Sequence, residues 1–552
     1  MKSNFNKQIY YYFLLIFIIG TIVFSTVNIY DFGIHIEEKY HRMNGHYWLN
    51  FVANFFNLEN LEKVTQDKLN GISDYTVSSV SYYNKYGVIF DLPIALIEIL
   101  FNINDIKKIY YLKHFISFFI FLISSIFFFK IINERYKNSF LGFVGAILFI
   151  TTPRIFGDSF LYKDVLFLSF FIISLYYLLK LSIHINLNNL IYFALFCAIS
   201  FNLRIFAIFL PITFFLLLII KSFYDKKIYS YLKSFLLYFL ILTILIILFS
   251  PYLWTNTLNN LLDIFRPMER ASIGEHIKIL FNNNFFPNRN VPESYLFVWI
   301  FITTPIITII FFLLGYLNYS KRFLLRFINI KETQIFNDLW RGKNEQKDFI
   351  NFFLFTSFIL TLLVFNAPFY NGWRLVYFLN IFIIYFAIYQ INFLITVFRK
   401  KIIGSYVINF FVIFSIIYNI VVLVNYHPFQ SYYFSELITN NKKNGFEGDY
   451  YGLSGKHFFL KLNSDYNNKK LKIAVASHTP LHRSLEGLEY EVRKKFEVVG
   501  QEYADADFIY KNNISEVNSR LNKKYNIPDN FVKIFELNIN GLKLYEIFKN
   551  LK

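Results

Sequence analysis

The chain has 552 residues, of which 55% are hydrophobic and 22% aromatic, and its mean hydropathy is +0.40. Its apolar runs are long enough to cross ~30 Å of hydrocarbon, which excludes a soluble globular protein. The formal net charge of +18 would suggest nucleic-acid binding in a soluble chain, but in a membrane protein the distribution of Lys and Arg among the loops is considered first. Because Cys197 is the single cysteine, neither a disulfide framework nor a Cys-based metal site is available.

The N-terminus is basic and then apolar from Ile9 to about Tyr30. This stretch is too long for a signal peptide and lacks a small-residue cleavage site, so it predicts a retained first span. The whole chain is predicted to be a polytopic α-helical membrane protein with about eleven transmembrane helices. At 189–221, two short spans or one broken helix fit equally well. The predicted spans are 9–30, 111–131, 139–152, 165–183, 189–203, 205–221, 233–250, 294–316, 349–366, 375–397 and 402–425.

Basic residues indicate the orientation of these spans. With a cytoplasmic N-terminus, every Lys- and Arg-rich turn falls on the cytoplasmic side, as the positive-inside rule requires. These turns are 130–137, 221–227, 321–331 and 399–401. The excess of positive charge therefore reflects the orientation of the loops across the membrane, and nucleic acid is excluded as a partner. We predict a multi-pass protein of the cell membrane whose C-terminal domain is extracytoplasmic.

The same count leaves several segments on the extracytoplasmic side, where function is expected. The longest is the first external loop, 31–110, and the others are 153–164, 251–293, 367–374 and the tail from 426 onward. Within the first loop, GVIFDLPIALIEILF at 87–101 is apolar but too short to span, so it is predicted to lie along the membrane surface. The chain thus divides into a transmembrane domain, 1–425, and an extracytoplasmic region, 426–552.

The composition after Tyr426 is that of a soluble domain. Strands are predicted at 471–477, 496–500, 507–510 and 531–539, and helices at 484–496 and 514–525. These elements predict a small α/β module, which lacks the Gly-rich phosphate loops of a nucleotide site.

An acidic pair follows the first span. In FGIHIEEKYH, at 32–41, Glu37 and Glu38 are predicted to lie in the first turn of a surface helix. A carboxylate at the lipid border suits a general base, because desolvation raises its pKa while nearby cations lower it. The alternative is that the two acids only complement the helix dipole.

A metal site is a second interpretation of the same segment. Asp31, His35 and Glu38 would share one face of a helix, with His41 and His46 following. Such residue types bind divalent metals, although interfacial polar residues are the simpler explanation of the pattern. No cofactor is firmly indicated, and a divalent metal is left open with His35, Glu38 and His41 as its candidate ligands.

The second external loop is densely charged. TPRIFGDSFLYKD, at 152–164, holds Arg154, Asp158, Lys163 and Asp164 between two spans. Asp164 begins the next span, so its carboxylate is predicted to face the first loop, while the other three are candidate substrate-binding residues. The alternative is a solvated hairpin whose charges pair with one another, which contributes little stability.

Two arginines lie at the lipid boundary. Arg204, in SFNLRIFAIF, is flanked by apolar runs, where an unpaired charge costs at least ~2.5 kcal/mol. Its anionic partner is either a carboxylate or the phosphate of a lipid substrate. Arg374, in YNGWRLVYF, enters the membrane similarly. Two such arginines suit a polyprenyl-phosphate leaving group.

Trp373 and His427, at span ends, are further candidates for substrate binding, although interfacial anchoring explains such residues as well.

Taken in order, these segments resemble the bacterial members of glycosyltransferase family 39, relatives of the dolichyl-phosphate-mannose protein mannosyltransferases with the membrane-embedded GT-C fold. The resemblance runs from the first span to about Lys456. No one block is specific, but the ordered set is. The blocks are FGIHIEE, YNKYGVIFDLP (83–93), TPRIFGDSFLYKD, YLFVWIFITTP (295–305), YNGWRLVYF, HPFQSYYFSEL (427–437) and FEGDYYGLSGK (446–456).

The resemblance implies an inverting transfer in which the first-loop acid, Glu37, takes the acceptor's proton and Asp164 orients substrate or a metal. The family usually has Asp at the first position of the acidic pair, and this chain has Glu. The extra methylene moves the carboxylate by roughly 1 Å or more. Whether Glu37 or Glu38 is the base is therefore left open.

The predicted function is transfer of a sugar from a polyprenyl-phosphate-linked donor to a lipid, glycan or protein hydroxyl. A flippase for lipid-linked sugars would use similar aromatics and arginines, but should show paired repeats around the bilayer midplane. A lipid-linked oligosaccharide polymerase or ligase is the nearest enzymatic alternative. A scaffold that only presents the soluble tail leaves the polar loops 31–46 and 152–164 unexplained.

Overall fold

The computed structural model describes residues 2–72, 87–161, 163–265, 278–328, 340, 342–399, 401–466, 470–514 and 522–551. Most of them form a helical bundle, and a small sheet follows near the C-terminus. The helices of the bundle are Lys2–Asn28, Ile106–Tyr136, Ser139–Ile150, Asp164–Ile183, Leu187–Leu203, Phe209–Asp225, Ile228–Phe249, Tyr295–Thr303, Ile306–Ile328, Lys343–Val364, Asn380–Val397 and Ile402–Asn425.

Eight segments are long and apolar enough to cross a membrane: Ile9–Asp31, Ile106–Tyr136, Asp164–Ile183, Ile205–Phe223, Ile228–Phe249, Lys343–Val364, Arg374–Val397 and Tyr406–Asn425. The apolar helices Ser139–Ile150 and Leu187–Leu203 are shorter. Near 294–316, the structure has two helices separated at Thr304 and Pro305, because a residue before proline favours extended backbone. The protein is thus a multi-pass membrane protein, and the total of eleven crossings stays a prediction.

The ambiguous region at 189–221 contains two helices with a break between them. The helix Leu187–Leu203 stops at Arg204, whose backbone is extended at φ −153° and ψ 135°. A short 3-10 turn, Ile205–Ile208, then leads into Phe209–Asp225. The break exposes the Arg204 side chain at the end of both helices instead of burying it in the middle of one.

Three helices occupy the described part of the first external loop: Glu38–Phe55, Glu59–Gly71 and Asp91–Leu100. The first begins at Glu38, so the predicted helix start at the acidic pair is confirmed. The last confirms a short helix within 87–101. The two pack closely, because a Cβ at Gly45 would lie 2.4 Å from the Asp91 carbonyl oxygen. Residues 83–86 of the YNKYGVIFDLP block lie outside the described residues.

The C-terminal module contains a five-stranded sheet, and a separate hairpin joins β1 (Lys278–Phe281) to β2 (Asn284–Pro287). The strands of the module are β3 (Leu471–Val475), β4 (Phe496–Gly500), β5 (Phe508–Asn512), β6 (Phe531–Ile539) and β7 (Leu542–Asn550). Their order is β4-β3-β5-β7-β6. The first three are parallel, and β7 pairs antiparallel with both β5 and β6. The four predicted strands are confirmed.

The sequence analysis missed β7 and misjudged one helix. The signal for β7 was present, since Asn540 and Gly541, both at positive φ, form the turn typical of a tight hairpin. The helix predicted at 484–496 is wrong. A 3-10 turn at Leu481–Gly487 and the four-residue helix Tyr490–Arg493 take its place, since Gly487 interrupts the helix and packs against Ile34. Most of the helix predicted at 514–525 lies outside the described residues, and Lys523–Tyr525 is a 3-10 turn.

The remaining short elements connect the larger ones. They are the helices Pro153–Asp158, Thr257–Phe265, Asn440–Lys443 and Ser454–Asp465 and the 3-10 turns Ile29–Asp31, Pro251–Leu253, Arg374–Leu379, Gln430–Tyr432 and Tyr503–Asp505.

Close helix packing in the bundle gives a first prediction. A Cβ at Gly315 would lie 2.0 Å from the carbonyl oxygen of Phe386 on the facing helix. Gly315→Leu should therefore force the helices apart and destabilise the protein by about 1–3 kcal/mol or more. Gly20→Leu is the matched control, because an added Cβ there meets no atom within 4 Å. Thermal unfolding in detergent should show a lower midpoint for Gly315→Leu only, and equal midpoints would contradict the packing.

Candidate active site

One pocket collects most of the charged residues singled out in the external loops. The first loop, the start of Asp164–Ile183, the break at Arg204 and the turn before Arg374 all meet there. Its lining residues are His35, Glu37, Glu38, His41, Lys163, Asp164, Arg204, Tyr370 and Arg374. All of these except Tyr370 are candidates from the sequence, so residues far apart in the chain lie together in space.

Asp164 links the two arginines. Its Oδ1 accepts a hydrogen bond from Arg204, and its Oδ2 lies 3.9 Å from the Nε of Arg374. The Asp164 side chain is only 8% exposed and that of Arg374 only 4%, so the three charges interact with little screening by water. The predicted anionic partner of Arg204 is therefore a carboxylate in this structure.

The two arginines keep hydrogen-bonding capacity that the protein does not use. Within the described residues, the Nε atoms of Arg204 and Arg374 are buried and donate no hydrogen bond. The Nη2 of Arg374 lies 3.5 Å from the Oε1 of Glu37, at the limit of a hydrogen bond. Both arginines line the pocket, and each keeps one N–H donor without an acceptor among the described residues.

Glu37 and Glu38 have different environments. The Oε1 of Glu38 accepts a hydrogen bond from the backbone N–H of His35 at 2.9 Å and lies 2.8 Å from the Nε2 of His114. The Glu38 side chain is 1% exposed, whereas that of Glu37 is 38% exposed. Glu38 therefore fixes the loop to the helix Ile106–Tyr136, and Glu37 is the carboxylate that a substrate can reach.

The charges around Glu37 set its protonation state. Burial raises the pKa of Glu37, but the charge of Arg374, helped by His35 and Lys163, outweighs burial and holds this pKa below its usual range. Burial also raises the pKa of Glu38, and the contacts with His114 and the charge of Lys113 outweigh it in the same way. Both carboxylates are therefore ionised at neutral pH.

His35 provides a further donor. Its Nδ1 accepts a hydrogen bond from the backbone N–H of Glu37 at 2.8 Å, so the neutral ring carries its proton on Nε2. This Nε2 lies 3.3 Å from the Nη1 of Arg374. Burial lowers the pKa of His35 to about 4, so the ring is neutral at physiological pH. The Nε2–H of His35 and the Nη1–H of Arg374 are both donors. A hydrogen-bond acceptor placed beside both nitrogens would therefore be favoured.

Lys163 adds a positive charge with an unusual backbone. It precedes Asp164 with φ at +97°, a value that residues with a side chain rarely adopt. Burial lowers the pKa of Lys163 to about 8, and the charge of Arg204 adds to this effect. The charge of this side chain therefore responds to pH near the physiological range.

The suggested metal ligands do not form a metal site in this arrangement. Residues 33–37 are not helical, so the prediction that Asp31, His35 and Glu38 share a helical face is wrong. Asp31 lies 3.0 Å from His427, and His41 lies 3.3 Å from Asp91. In the part of the chain that the structure describes, no three His, Cys, Asp or Glu side chains are grouped to hold a metal ion.

Four of the candidate substrate-binding residues do not line the pocket and make their hydrogen bonds to other groups. Arg154 donates to the Tyr433 carbonyl oxygen at 2.8 Å, and Asp158 accepts from the Tyr451 hydroxyl at 2.9 Å. The indole N–H of Trp373 donates to the Thr303 hydroxyl at 2.8 Å. The fourth is His427, which pairs with Asp31.

Burial raises the pKa of Asp158 to about 6, despite the hydrogen bonds that it accepts. The Arg154 guanidinium lies over the rings of Trp299 and Phe434, at 5.1 and 4.9 Å. These residues support the structure beneath the pocket.

Two tyrosines at the site were missed as site residues. The Arg374 guanidinium lies 5.0 Å from the ring of Tyr370 and 5.3 Å from that of Tyr451. The Tyr451 ring also contacts His35, with centroids 4.5 Å apart. Both tyrosines lie in sequence blocks that were recognised, YNGWRLVYF and FEGDYYGLSGK. Their aromatic character was not informative in a chain with 42 Tyr and 72 Phe.

Comparison with known families bears on this geometry. The sequence model of the dolichyl-phosphate-mannose-protein mannosyltransferase family matches residues 94–254. This match confirms the predicted family resemblance. It implies a membrane glycosyltransferase of the mannosyltransferase type. A search of curated proteins found no match. The matched segment contains Lys163, Asp164 and Arg204, whereas Glu37 and Arg374 lie outside it.

In this mannosyltransferase-like chain, the C-terminal region holds the acidic loop. The backbone N–H of Ile36 donates to the Tyr451 carbonyl oxygen at 3.1 Å. From the module, Arg483 donates to the Ile36 carbonyl oxygen and, at 3.0 Å, to the Tyr40 hydroxyl. The residue before Glu37 is therefore fixed on both sides by segments more than 400 positions later in the chain.

This contact gives a second prediction. Arg483→Ala should speed amide hydrogen exchange in the loop 33–40 by roughly tenfold, the effect of losing about 1–1.5 kcal/mol of hydrogen bonding. Arg493→Ala is the matched control, because Arg493 contacts the carbonyl oxygens of Glu486 and Leu488 within the module. Exchange followed by mass spectrometry should separate the two variants. Unchanged exchange in Arg483→Ala would show that the module does not hold the loop.

Proposed function

We propose that the protein transfers a sugar from a polyprenyl-phosphate donor to an acceptor hydroxyl on the extracytoplasmic side, with inversion at the anomeric carbon. The observation that carries this proposal is the pocket lined by an accessible carboxylate, Glu37, together with Arg374, which is buried, and Arg204, which is 14% exposed. The family match supports the reaction class. The acceptor is a hydroxyl of a lipid, glycan or protein.

The arginines would bind the phosphate of the donor. Guanidinium groups form paired hydrogen bonds to phosphate oxygens, and these are stronger than hydrogen bonds between neutral groups. The two Nε donors without an acceptor among the described residues, and the Nε2–H of His35, belong to side chains that line the pocket. As the phosphate gains negative charge during the reaction, these donors would stabilise it without having to reorient.

Glu37 would act as the general base. The acceptor oxygen attacks the anomeric carbon, and its proton passes to the Glu37 carboxylate. The bond between the anomeric carbon and the phosphate oxygen breaks, and its electron pair stays on that oxygen as polyprenyl phosphate leaves. The low pKa of Glu37 depends first on Arg374. A phosphate on Arg374 would weaken this ion pair and make Glu37 a stronger base.

Asp164 would position the arginines. Its two oxygens face Arg204 and Arg374 separately, so it would keep both guanidinium groups at the same site. In this role Asp164 need not touch the sugar or a metal.

The flippase and the polymerase or ligase lead to different outcomes in one assay. A flippase moves the donor across the membrane without forming a glycoside. A polymerase or ligase requires an oligosaccharide donor, whereas this proposal requires only a single sugar on the lipid phosphate.

The third prediction tests the base. In proteoliposomes with synthetic polyprenyl-phosphate sugars, Glu37→Gln should lower kcat by roughly 100-fold or more, the range of general-base catalysis. The donor KM should stay equal or fall, because a negative charge near the bound phosphate is removed. Glu38→Gln is the matched control. It should mainly lower the thermal midpoint, because it breaks the buried contact with His114.

Full activity in Glu37→Gln would remove Glu37 as the base. A larger loss of kcat in folded Glu38→Gln than in Glu37→Gln would reverse the assignment. Donor movement without transfer in the wild type would favour the flippase.

The fourth prediction concerns pH. The folded pKa of Lys163 is lowered to about 8, so its positive charge is present below pH 8 and is lost as the pH rises through that value. Donor binding should weaken accordingly, and kcat/KM should fall above about pH 8, since this ratio reports the free enzyme. Lys163→Arg keeps the charge and should move the fall to higher pH. If kcat/KM of the wild type and of Lys163→Arg falls over the same alkaline pH range, Lys163 is excluded as the cause of the fall.

A further inference from the structure

A second cavity lies at the far ends of the helices that build the candidate active site. The helix Asp164–Ile183 carries Asp164 at its start and Lys180 near its end, and the helix Ile106–Tyr136 carries His114 and Glu134 in the same arrangement. At 1.5 Å per residue, Lys180 lies roughly 24 Å from Asp164 along the helix axis. The cavity is therefore on the opposite membrane face from the candidate active site.

Four lysines surround this cavity and come from three separate parts of the chain. Lys137 follows the helix Ile106–Tyr136, Lys180 ends the next long span, and Lys343 and Lys347 begin another. Folding therefore gathers charges that are distant in sequence. A Lys-rich loop alone would not produce this convergence.

One carboxylate balances only part of this charge. Glu134 lies 2.8 Å from the Nζ of Lys180 and 3.4 Å from that of Lys347. Within the described residues, Lys137 and Lys343 form no ion pair. The cavity is therefore strongly positive, and amide groups of Asn186 and Asn344 also line it. Ammonium and amide donors together match the oxygens of a phosphate group.

The position of the cavity indicates where such a phosphate comes from. It lies at the ends of membrane spans, which is the level of lipid headgroups, and basic pockets between helix ends bind anionic headgroups. We propose that this cavity binds the phosphate of an anionic phospholipid in the leaflet opposite the candidate active site. A soluble phosphate compound has the same binding chemistry, so the test includes it as a separate arm. The proposal does not depend on the glycosyltransferase function.

The test uses the purified full-length protein in detergent. Thermal unfolding is measured while phosphatidylglycerol, phosphatidylcholine or inorganic phosphate is added. The double variant Lys137→Gln/Lys343→Gln removes the two lysines without an ion pair among the described residues, and it leaves the contacts of Glu134 intact. The control Lys226→Gln/Lys227→Gln removes the same charge from exposed residues at another turn on the same face.

Phosphatidylglycerol should raise the midpoint of the wild type and the control more than phosphatidylcholine does. The cavity variant, Lys137→Gln/Lys343→Gln, should need about tenfold more phosphatidylglycerol, or more, to reach half of the maximal rise in the unfolding midpoint. The reason is that each Lys near an anionic surface contributes about 1 kcal/mol. A shift with inorganic phosphate that only the cavity variant loses would support the phosphate site and assign it to soluble ligands. Equal losses in both variants, or equal shifts with both lipids, would overturn the proposal.

Discussion

The paired charges of Asp164, Arg204 and Arg374 constrain the whole candidate active site. Arginines at the border of the hydrocarbon must be paired, because an isolated charge there is costly. One carboxylate serves both guanidinium groups, so the cluster is stable and yet keeps a positive excess. The helix break at Arg204 and the 3-10 turn that begins at Arg374 bring both side chains to the same carboxylate. A straight helix at either position would direct its arginine elsewhere.

The acidic loop completes this cluster from the other side. The loop is irregular, and contacts with distant segments fix it in addition to its own hydrogen bonds. The Tyr451 backbone and the Arg483 side chain hold Ile36, while Glu38 and His114 anchor the start of the next helix. The C-terminal module therefore supports the acidic loop whose residues line the pocket.

Sequence reasoning succeeded where one residue carries a strong physical constraint. Arg204 and Arg374 stand out because charge within apolar runs is rare, and Asp164 stands out because it begins a span. Sequence reasoning failed where partners are far apart in the chain. Arg154 donates to Tyr433 and Trp373 donates to Thr303, and no local pattern reveals these contacts. The choice between Glu37 and Glu38 likewise depends on His114, which only the fold brings near.

A cryo-electron microscopy structure of the protein with bound polyprenyl phosphate tests the central claim most directly. The account predicts the phosphate between the Arg204 and Arg374 side chains, with Glu37 on the side where the sugar would be attached and with Asp164 still contacting both arginines. A phosphate bound elsewhere, with Arg204 and Arg374 still paired only with carboxylates of the protein, would contradict the proposed role of the two arginines.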